Sequence, residues 1–294
     1  MLIHPDTRLG HVHYTASDLD RQLAFYQDVL GLQLHWREDG KAGLGAGRGD
    51  LVRLTEVAGA RRIPGTTGMY HFALLFPSRR ELARAVARLF DLGYPNHPTD
   101  HIVSKTTYLD DPEGNTIELY VYSQEDGKMK VENGMLTARH ADGRPSNGRE
   151  PLDLELLFSE LERGDRLDTP LPPETLMGHV HIYGANLQDQ MNFYRDVIGF
   201  REGGLAEKFQ FGDVSLDRPH VIAFNTWKGE GAPSAPAESL GLRYYSIVLP
   251  TSEALDDVLG RIEATGYAIE STEKGTLIRD PSQILILLSS DVDV

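Results

Sequence analysis

The chain has 294 residues, 40% of them apolar, carries a formal net charge of −15 and contains no cysteine. The length favours about two domains, and the negative charge argues against nucleic acid or an anionic membrane as partner. Without thiols there can be no disulfide and no thiolate metal site, so any metal must be held by nitrogen and oxygen. No apolar run reaches the roughly 20 residues of a membrane span, and the opening Met1–Asp6 lacks the basic and apolar regions of a signal peptide. The expectation is a cytoplasmic protein.

In chain order, Leu9 to Ala16 alternates and predicts a strand. Ser17-Asp18 then starts a helix carrying Leu19, Leu23, Phe25, Tyr26 and Leu30, ended by Gly31, with Phe25-Tyr26 read as helix packing. Short strands follow through Val57. The Gly-rich stretch Gly40–Gly49 lacks the order of a phosphate loop and reads as a hairpin turn region. A second kind of unit begins near Met69: a strand from Tyr70 to Phe76, then a helix with Leu82, Val86, Leu89 and Phe90 on its apolar side, closed by Gly93. Strands around Lys105–Leu109 and Thr116–Tyr122 flank the turn Asp111-Pro112-Glu113-Gly114-Asn115, whose residues favour tight reversal. The span from Gln124 to Pro173 is richer in Gly, Asn, Pro and charge, and reads as a linker with a short helix over Leu152–Leu161.

The first pattern then returns. Gly10-His11-Val12-His13, Asp18-Leu19, Phe25-Tyr26 and Gly31 reappear as Gly178-His179-Val180-His181, Asn186-Leu187, Phe193-Tyr194 and Gly199, each 168 positions after its counterpart, as Gly178 is after Gly10. Such a repeat marks a duplicated unit. The second pattern follows it, with a strand from Tyr244 to Leu249, a helix to Gly266-Tyr267, the turn Asp280-Pro281 and a strand over Ile284–Leu288. The prediction is an α+β protein of four βαβββ units. Two lie in a segment over residues 8–123 and two in a segment over 176–290, joined by a linker over 124–175.

The motifs His-x-His-x-x-x-x-Asp-Leu…Phe-Tyr…Leu-Gly and Tyr108-Leu-Asp-Asp-Pro-Glu-Gly-Asn-Thr-Ile-Glu118-Leu resemble the vicinal oxygen chelate superfamily, which holds glyoxalase I, bleomycin-resistance proteins and extradiol dioxygenases. The likeness covers nearly the whole chain except the linker and is nearest to the two-domain, CatE-type catechol 2,3-dioxygenases of bacteria. It implies units paired into two cup-shaped domains, and a metal held by two histidines and one glutamate. That ligand set leaves positions open on a six-coordinate ion. It implies Fe(II), with Mn(II) accepting the same ligands, a catecholic substrate and O2 as partners, and leaves a homo-oligomer open.

By the same resemblance, His71 and Glu118 supply two ligands from the second unit. The fourth unit has Tyr244 and Leu287 at the matching places, and no acid lies in Ile284–Ser290, so one complete site is expected. The third ligand is His11 if units one and two pair, and His179 if units two and three pair. The family pattern His-x-x-Ala-Phe, found at His220-Val221-Ile222-Ala223-Phe224, favours His179, because Gly49–Leu54 in the first unit has no histidine. Three catalytic residues are implied: His220 as base, Tyr108 (ten positions before Glu118) as donor to a substrate oxygen, and His101 as acid, although its spacing to Tyr108 departs from the commonest pattern. His13 and His181 read as supporting polar residues. The competing readings are a glyoxalase-like metal-dependent lyase or isomerase, for which unit three offers no fourth carboxylate over His220–Trp227, and a non-catalytic small-molecule-binding resistance protein.

Overall fold

A computed structural model describes residues 1–290. Unit one comprises the strands Arg8–Ala16, Gln33–Glu38, Lys41–Gly45 and Val52–Glu56, with the helix Leu19–Ala24 between the first two. Unit two has the strands Gly68–Leu75, His97–Asp100, Ser104–Asp110 and Thr116–Tyr122 and the helix Arg79–Asp91. Unit three repeats the first with strands Leu176–Tyr183, Arg201–Ala206, Phe211–Ser215 and Ile222–Asn225 and the helix Leu187–Asn192. Unit four repeats the second with strands Gly241–Val248, Ile269–Thr272, Gly275–Arg279 and Leu285–Ser289 and the helix Ser252–Ala264. The predicted α+β class and the βαβββ order are those observed. Within the Gly-rich stretch Gly40, at φ 71°, turns one hairpin, Lys41–Gly45 is a strand, and the bends over Ala46–Gly49 lead into the next hairpin with Val52–Glu56.

Each helix begins on a side-chain oxygen that accepts a first-turn amide, which would otherwise have no partner. Asp18 accepts from Arg21 at 2.9 Å, Ser78 from Glu81 at 3.3 Å, Asn186 from Asp189 at 2.9 Å and Thr251 from Ala254 at 3.2 Å. In units one and three the helix then widens into π-turns over Phe25–Leu30 and Phe193–Ile198, stopped by Gly31 and Gly199 in the left-handed region. The wide turn carries the two tyrosines inward. Tyr26 donates to Asp111 Oδ2 at 3.2 Å, and Tyr194 to Asp280 Oδ2 at 3.1 Å. The other oxygen of each aspartate accepts two backbone amides of its own turn, those of Glu113 and Asn115 and those of Ser282 and Ile284, all at 2.9 Å. Each Phe-Tyr helix is thus fastened to the Asp-Pro turn of the following unit, which is more than the helix packing expected of it.

Two large mixed sheets result. In the eight-stranded sheet, units one and four lie side by side, joined where Arg8–Ala16 runs antiparallel to Gly241–Val248. In the nine-stranded sheet, units two and three are joined in the same way by Gly68–Leu75 and Leu176–Tyr183. The pairing is therefore crossed with respect to chain order. One apolar core with residues from all four units, among them Tyr14, Phe72, Phe193 and Tyr245, lies between the sheets and their helices. Phe90 does not face that core: it is half exposed and packs edge-on against Phe158 of the connecting segment. No helix among the described residues is long and apolar enough to cross a membrane.

The segment between the halves holds more structure than a linker with one helix. The strands Gly127–Glu132, Met135–His140 and Pro145–Ser146 form a small separate sheet. Glu150–Pro151 adds an edge strand beside His97–Asp100, and the helix is confined to Leu154–Phe158.

Candidate metal centre

At the middle of the nine-stranded sheet, strand register sets the site. Ala73 is opposite His179 on one side and Glu118 on the other, and His71 lies two residues from Ala73 on the same strand. Because alternate residues share a face, His71, His179 and Glu118 project from one surface of the sheet. Their donor atoms converge: His71 Nε2 to His179 Nε2 is 3.0 Å, and each of these nitrogens is 3.1 Å from Glu118 Oε2. All three side chains are buried. Burial works against the charge of Glu118, but the two imidazoles outweigh it and hold the carboxyl well below its usual range. Burial also pulls His179 down to about 3, so its imidazole is neutral.

A carboxylate oxygen and two imidazole nitrogens within 3.1 Å of one another in the interior repel as bare acceptors, so a proton or a cation must lie among them. Three separations near 3 Å are also what one ion imposes on ligand pairs at right angles with bonds of about 2.1 Å. The donor set, two imidazoles and one carboxylate, suits a divalent transition metal. Among the described residues this is the one group of His, Asp or Glu side chains whose donor atoms converge so. His11 is not part of it: in the other sheet its Nε2 lies 3.3 Å from the Tyr244 hydroxyl and its Nδ1 3.2 Å from Ser246 Oγ.

The remaining singled-out residues flank the triad on two sides. On the His179 side, the His220 ring lies 4.6 Å away, centre to centre, and stacks on Phe211. His220 takes the left-handed conformation at φ 57°, uncommon for a residue with a side chain. Burial disfavours its charge, but Nδ1 meets Asp213 Oδ2 at 3.0 Å and the net effect raises its proton affinity. On the His71 side, the Tyr108 ring lies 5.6 Å away and its hydroxyl is 2.9 Å from His101 Nε2. His101 Nδ1 is 2.7 Å from the carbonyl of Gly148. A carbonyl only accepts, so Nδ1 carries the proton and Nε2 accepts from Tyr108. Burial lowers the His101 pKa, in keeping with that neutral form. His181, two residues from His179, shares the face of the triad; its ring lies 5.1 Å from that of His71 and its Nε2 2.8 Å from Asn225 Nδ2.

Sequence reasoning missed Asp213 and Gly148, which orient the two outer histidines. Asp213 is one of many acids in an alternating strand, and a backbone carbonyl leaves no mark on residue type. Tyr70, whose ring lies 4.8 Å from that of His181 and 5.2 Å from that of Trp227, adds an aromatic wall that was also not foreseen.

The model of the Glyoxalase/Bleomycin resistance protein/Dioxygenase superfamily matches residues 8–119. A catechol-2,3-dioxygenase from Bacillus subtilis is 38% identical over 283 residues, 95% of each chain. The chain belongs to this superfamily. It is an oxidoreductase of the superfamily's dioxygenase type. A biphenyl-2,3-diol 1,2-dioxygenase from Rhodococcus globerulus is 30% identical over 119 residues, 39% of this chain and 63% of that one. Among solved structures, the superfamily fold recurs in a Bacillus subtilis protein assigned as a dioxygenase (TM-score 0.64, 15% identity, 96% of this chain and 85% of that one). It recurs again in glyoxalase I from Zea mays (TM-score 0.55, 16% identity, 96% of this chain and 92% of that one).

Proposed function

We propose that the protein cleaves the ring of catechol or a substituted catechol with O2, next to the two hydroxyls, giving a 2-hydroxymuconic semialdehyde. The convergence of His71, His179 and Glu118 donor atoms at 3.0 to 3.1 Å carries this reading. Held by these three residues, Fe(II) would supply Lewis acidity and one-electron chemistry, with positions open to substrate and O2. Both atoms of O2 enter the product, so no external reductant is needed.

The protein's own groups serve the proton movements. Asp213 holds His220 by Nδ1 and leaves Nε2 as the working atom, which accepts a proton from a catechol hydroxyl, keeps it beside the developing negative charge and gives it back to the ring-opened product. On the other flank the Tyr108 proton points to His101, so the Tyr108 oxygen can accept from the second hydroxyl while its own proton passes to His101 Nε2. The return of that proton through the Tyr108 oxygen completes acid catalysis. His101 works through Tyr108, and Gly148 fixes its tautomer. The walls Tyr70, Phe211 and Trp227 give a planar ring apolar surface to lie against.

A glyoxalase-like reaction with a fourth carboxylate ligand finds no support in unit three: the strand Ile222–Asn225 has no acid, and Asp213 is engaged by His220. The test is to purify the chain without oxygen, load it with ferrous iron and add catechol and air. One O2 consumed per yellow product formed is expected, with loss of activity on oxidation of the iron. Iron-loaded protein that consumes no O2 with any catechol, yet isomerises a thiol–aldehyde adduct, would overturn the proposal.

A further inference from the structure

The eight-stranded sheet builds a second cup, in which units one and four take the places of units three and two. Register fixes the correspondence. His13 pairs with Tyr244 and Arg53, as His181 pairs with His71 and Ala223. Ser246 pairs with Leu287, as Ala73 pairs with Glu118. The three donor positions are therefore held by His11, Tyr244 and Leu287. A carboxylate has gone, and a guanidinium stands where the metal cup has the methyl group of Ala223. By the same register Asp50 stands where the metal cup has His220, so the guanidinium arrives with a carboxylate beside it.

Arg53 is buried, with 7% of its side chain exposed. Its Nε donates to Asp50 Oδ2 at 2.7 Å. Asp50 also meets Trp36 Nε1 and His35 Nδ1, each at 2.9 Å, so both its oxygens are in use. Arg53 Nη1 is buried without a hydrogen-bond partner. So is His13 Nδ1, while His13 Nε2 meets Thr55 Oγ1 at 2.7 Å. Where Thr55 donates to Nε2, Nδ1 is a second unpaired N–H. Unpaired buried donors are costly and uncommon in native interiors. Burial, aided by the positive charges of Arg243, Arg53, Lys274 and Lys41, holds His13 down at about 3, so it stays neutral. The Tyr244 ring stands edge-on to His13 and His11 at 4.8 and 5.5 Å. His13, Arg243 and Tyr244 are partly exposed, so the buried donors have a route to solvent.

We propose that this second cup is an anion site, taking a small carboxylate or inorganic oxyanion on the Arg53 guanidinium and the His13 imidazole, beside Tyr244. An anion would give Arg53 Nη1 the partner it lacks and, in the tautomer with Nδ1 protonated, His13 Nδ1 as well, and charge-assisted bonds to a guanidinium are among the stronger hydrogen bonds proteins make. Asp50 balances the Arg53 charge, and Arg243, Lys274 and Lys41 add positive charge around His13, so in a chain of net charge −15 an anion meets a locally positive surrounding here.

The test is calorimetric titration of the metal-free full chain with sodium benzoate and, separately, inorganic phosphate, at constant ionic strength set by sodium chloride. Trp36, whose ring lies 5.9 Å from the Arg53 guanidinium, reports the same site by fluorescence. Saturable binding of one equivalent is expected below about 10 mM, and the tighter of the two anions tells a carboxylate source from a phosphate one. Arg53→Gln should weaken binding about tenfold or more. The rim double variant Arg243→Ala/Lys274→Ala, which leaves the buried network in place, should weaken it several-fold. Glu118→Gln, in the other cup, should not change it. Absence of saturable binding by either anion overturns the proposal, as does undiminished affinity in the rim double variant, which decides alone if Arg53→Gln fails to fold.

Discussion

Glu118 is a carboxylate with almost no water, facing two imidazoles, and its removal tests the metal centre most directly. Glu118→Ala should lower metal affinity by about tenfold or more, by analogy with the losses seen even for outer partners. The chain should stay folded by circular dichroism, since the sheet hydrogen bonds of its strand do not involve the side chain; metal content after dialysis is the measurement. His220→Gln should separate binding from chemistry. Metal content should stay as in the wild type while turnover falls by about 100-fold or more, the usual scale of a lost acid–base group. Asp213→Asn should cost less, because Asp213 acts on the reaction through His220. The residue-level reading from sequence alone singled out His71, Glu118, His179, His220, Tyr108 and His101, and the fold gathers these six around one point. They were visible because strand alternation and family motifs bear on residue type. The partners that orient them were not: the Asp213 contact and the Gly148 carbonyl depend on where a hairpin and a distant loop come to rest.

The Asp-Pro turns are the elements with the clearest link to pH. Burial raises the Asp280 carboxyl from 3.8 to about 6, against the hydrogen bonds from Gln190, Ile284, Tyr194 and Ser282 that favour its charge. In the unfolded chain it titrates near its ordinary value. A group raised on folding gives its full contribution at acid pH and loses it as pH rises, here between about 4 and 6. A shift of about two units is worth on the order of 3 kcal/mol. Asp280→Asn removes that dependence. The variant's stability minus that of the wild type should therefore rise by about this amount from pH 4 to pH 7 in urea denaturation. The pH-independent loss of hydrogen bonds cancels in that comparison, and a flat difference would refute the assignment. Element types were legible because the helix starts and the alternating strands leave local marks, as at Asp18 and Thr116–Tyr122. The small sheet over residues 127–146 was not: Gly127–Glu132 does alternate, with Lys128, Lys130 and Glu132 outward, but the Gly, Asn, Pro and charge around it made the whole span read as a linker.

At the scale of the molecule, the proposed metal centre is divided between the halves of the chain: His71 and Glu118 come from one, His179 from the other. A fragment ending at Arg149 leaves the strand Gly68–Leu75 without its antiparallel neighbour, an exposed apolar edge that invites association. Neither 1–149 nor 150–294 expressed alone should bind metal, while co-expression of the two should restore it. Metal binding by the first fragment by itself would show that the site does not need the second. Sequence alone left the pairing between His11 and His179 undecided on the repeat itself, because the two copies are identical in the residues that matter there. Only an unmatched residue, His220, broke the tie.

The crossed order has a consequence for lineage. Take a half-length chain with one unit of each kind. If two such copies met about a two-fold axis, the first unit of each would lie beside the second unit of the other, and two identical cups would close. Joining the copies end to end through a connecting segment gives the order seen here, units one and four in one sheet and two and three in the other. In such a dimer one gene would write both cups, and any change at a ligand position would strike both. In the joined chain each cup has its own codons. One can hold His71, His179 and Glu118 while the other holds Leu287 and Arg53, with no loss to the first.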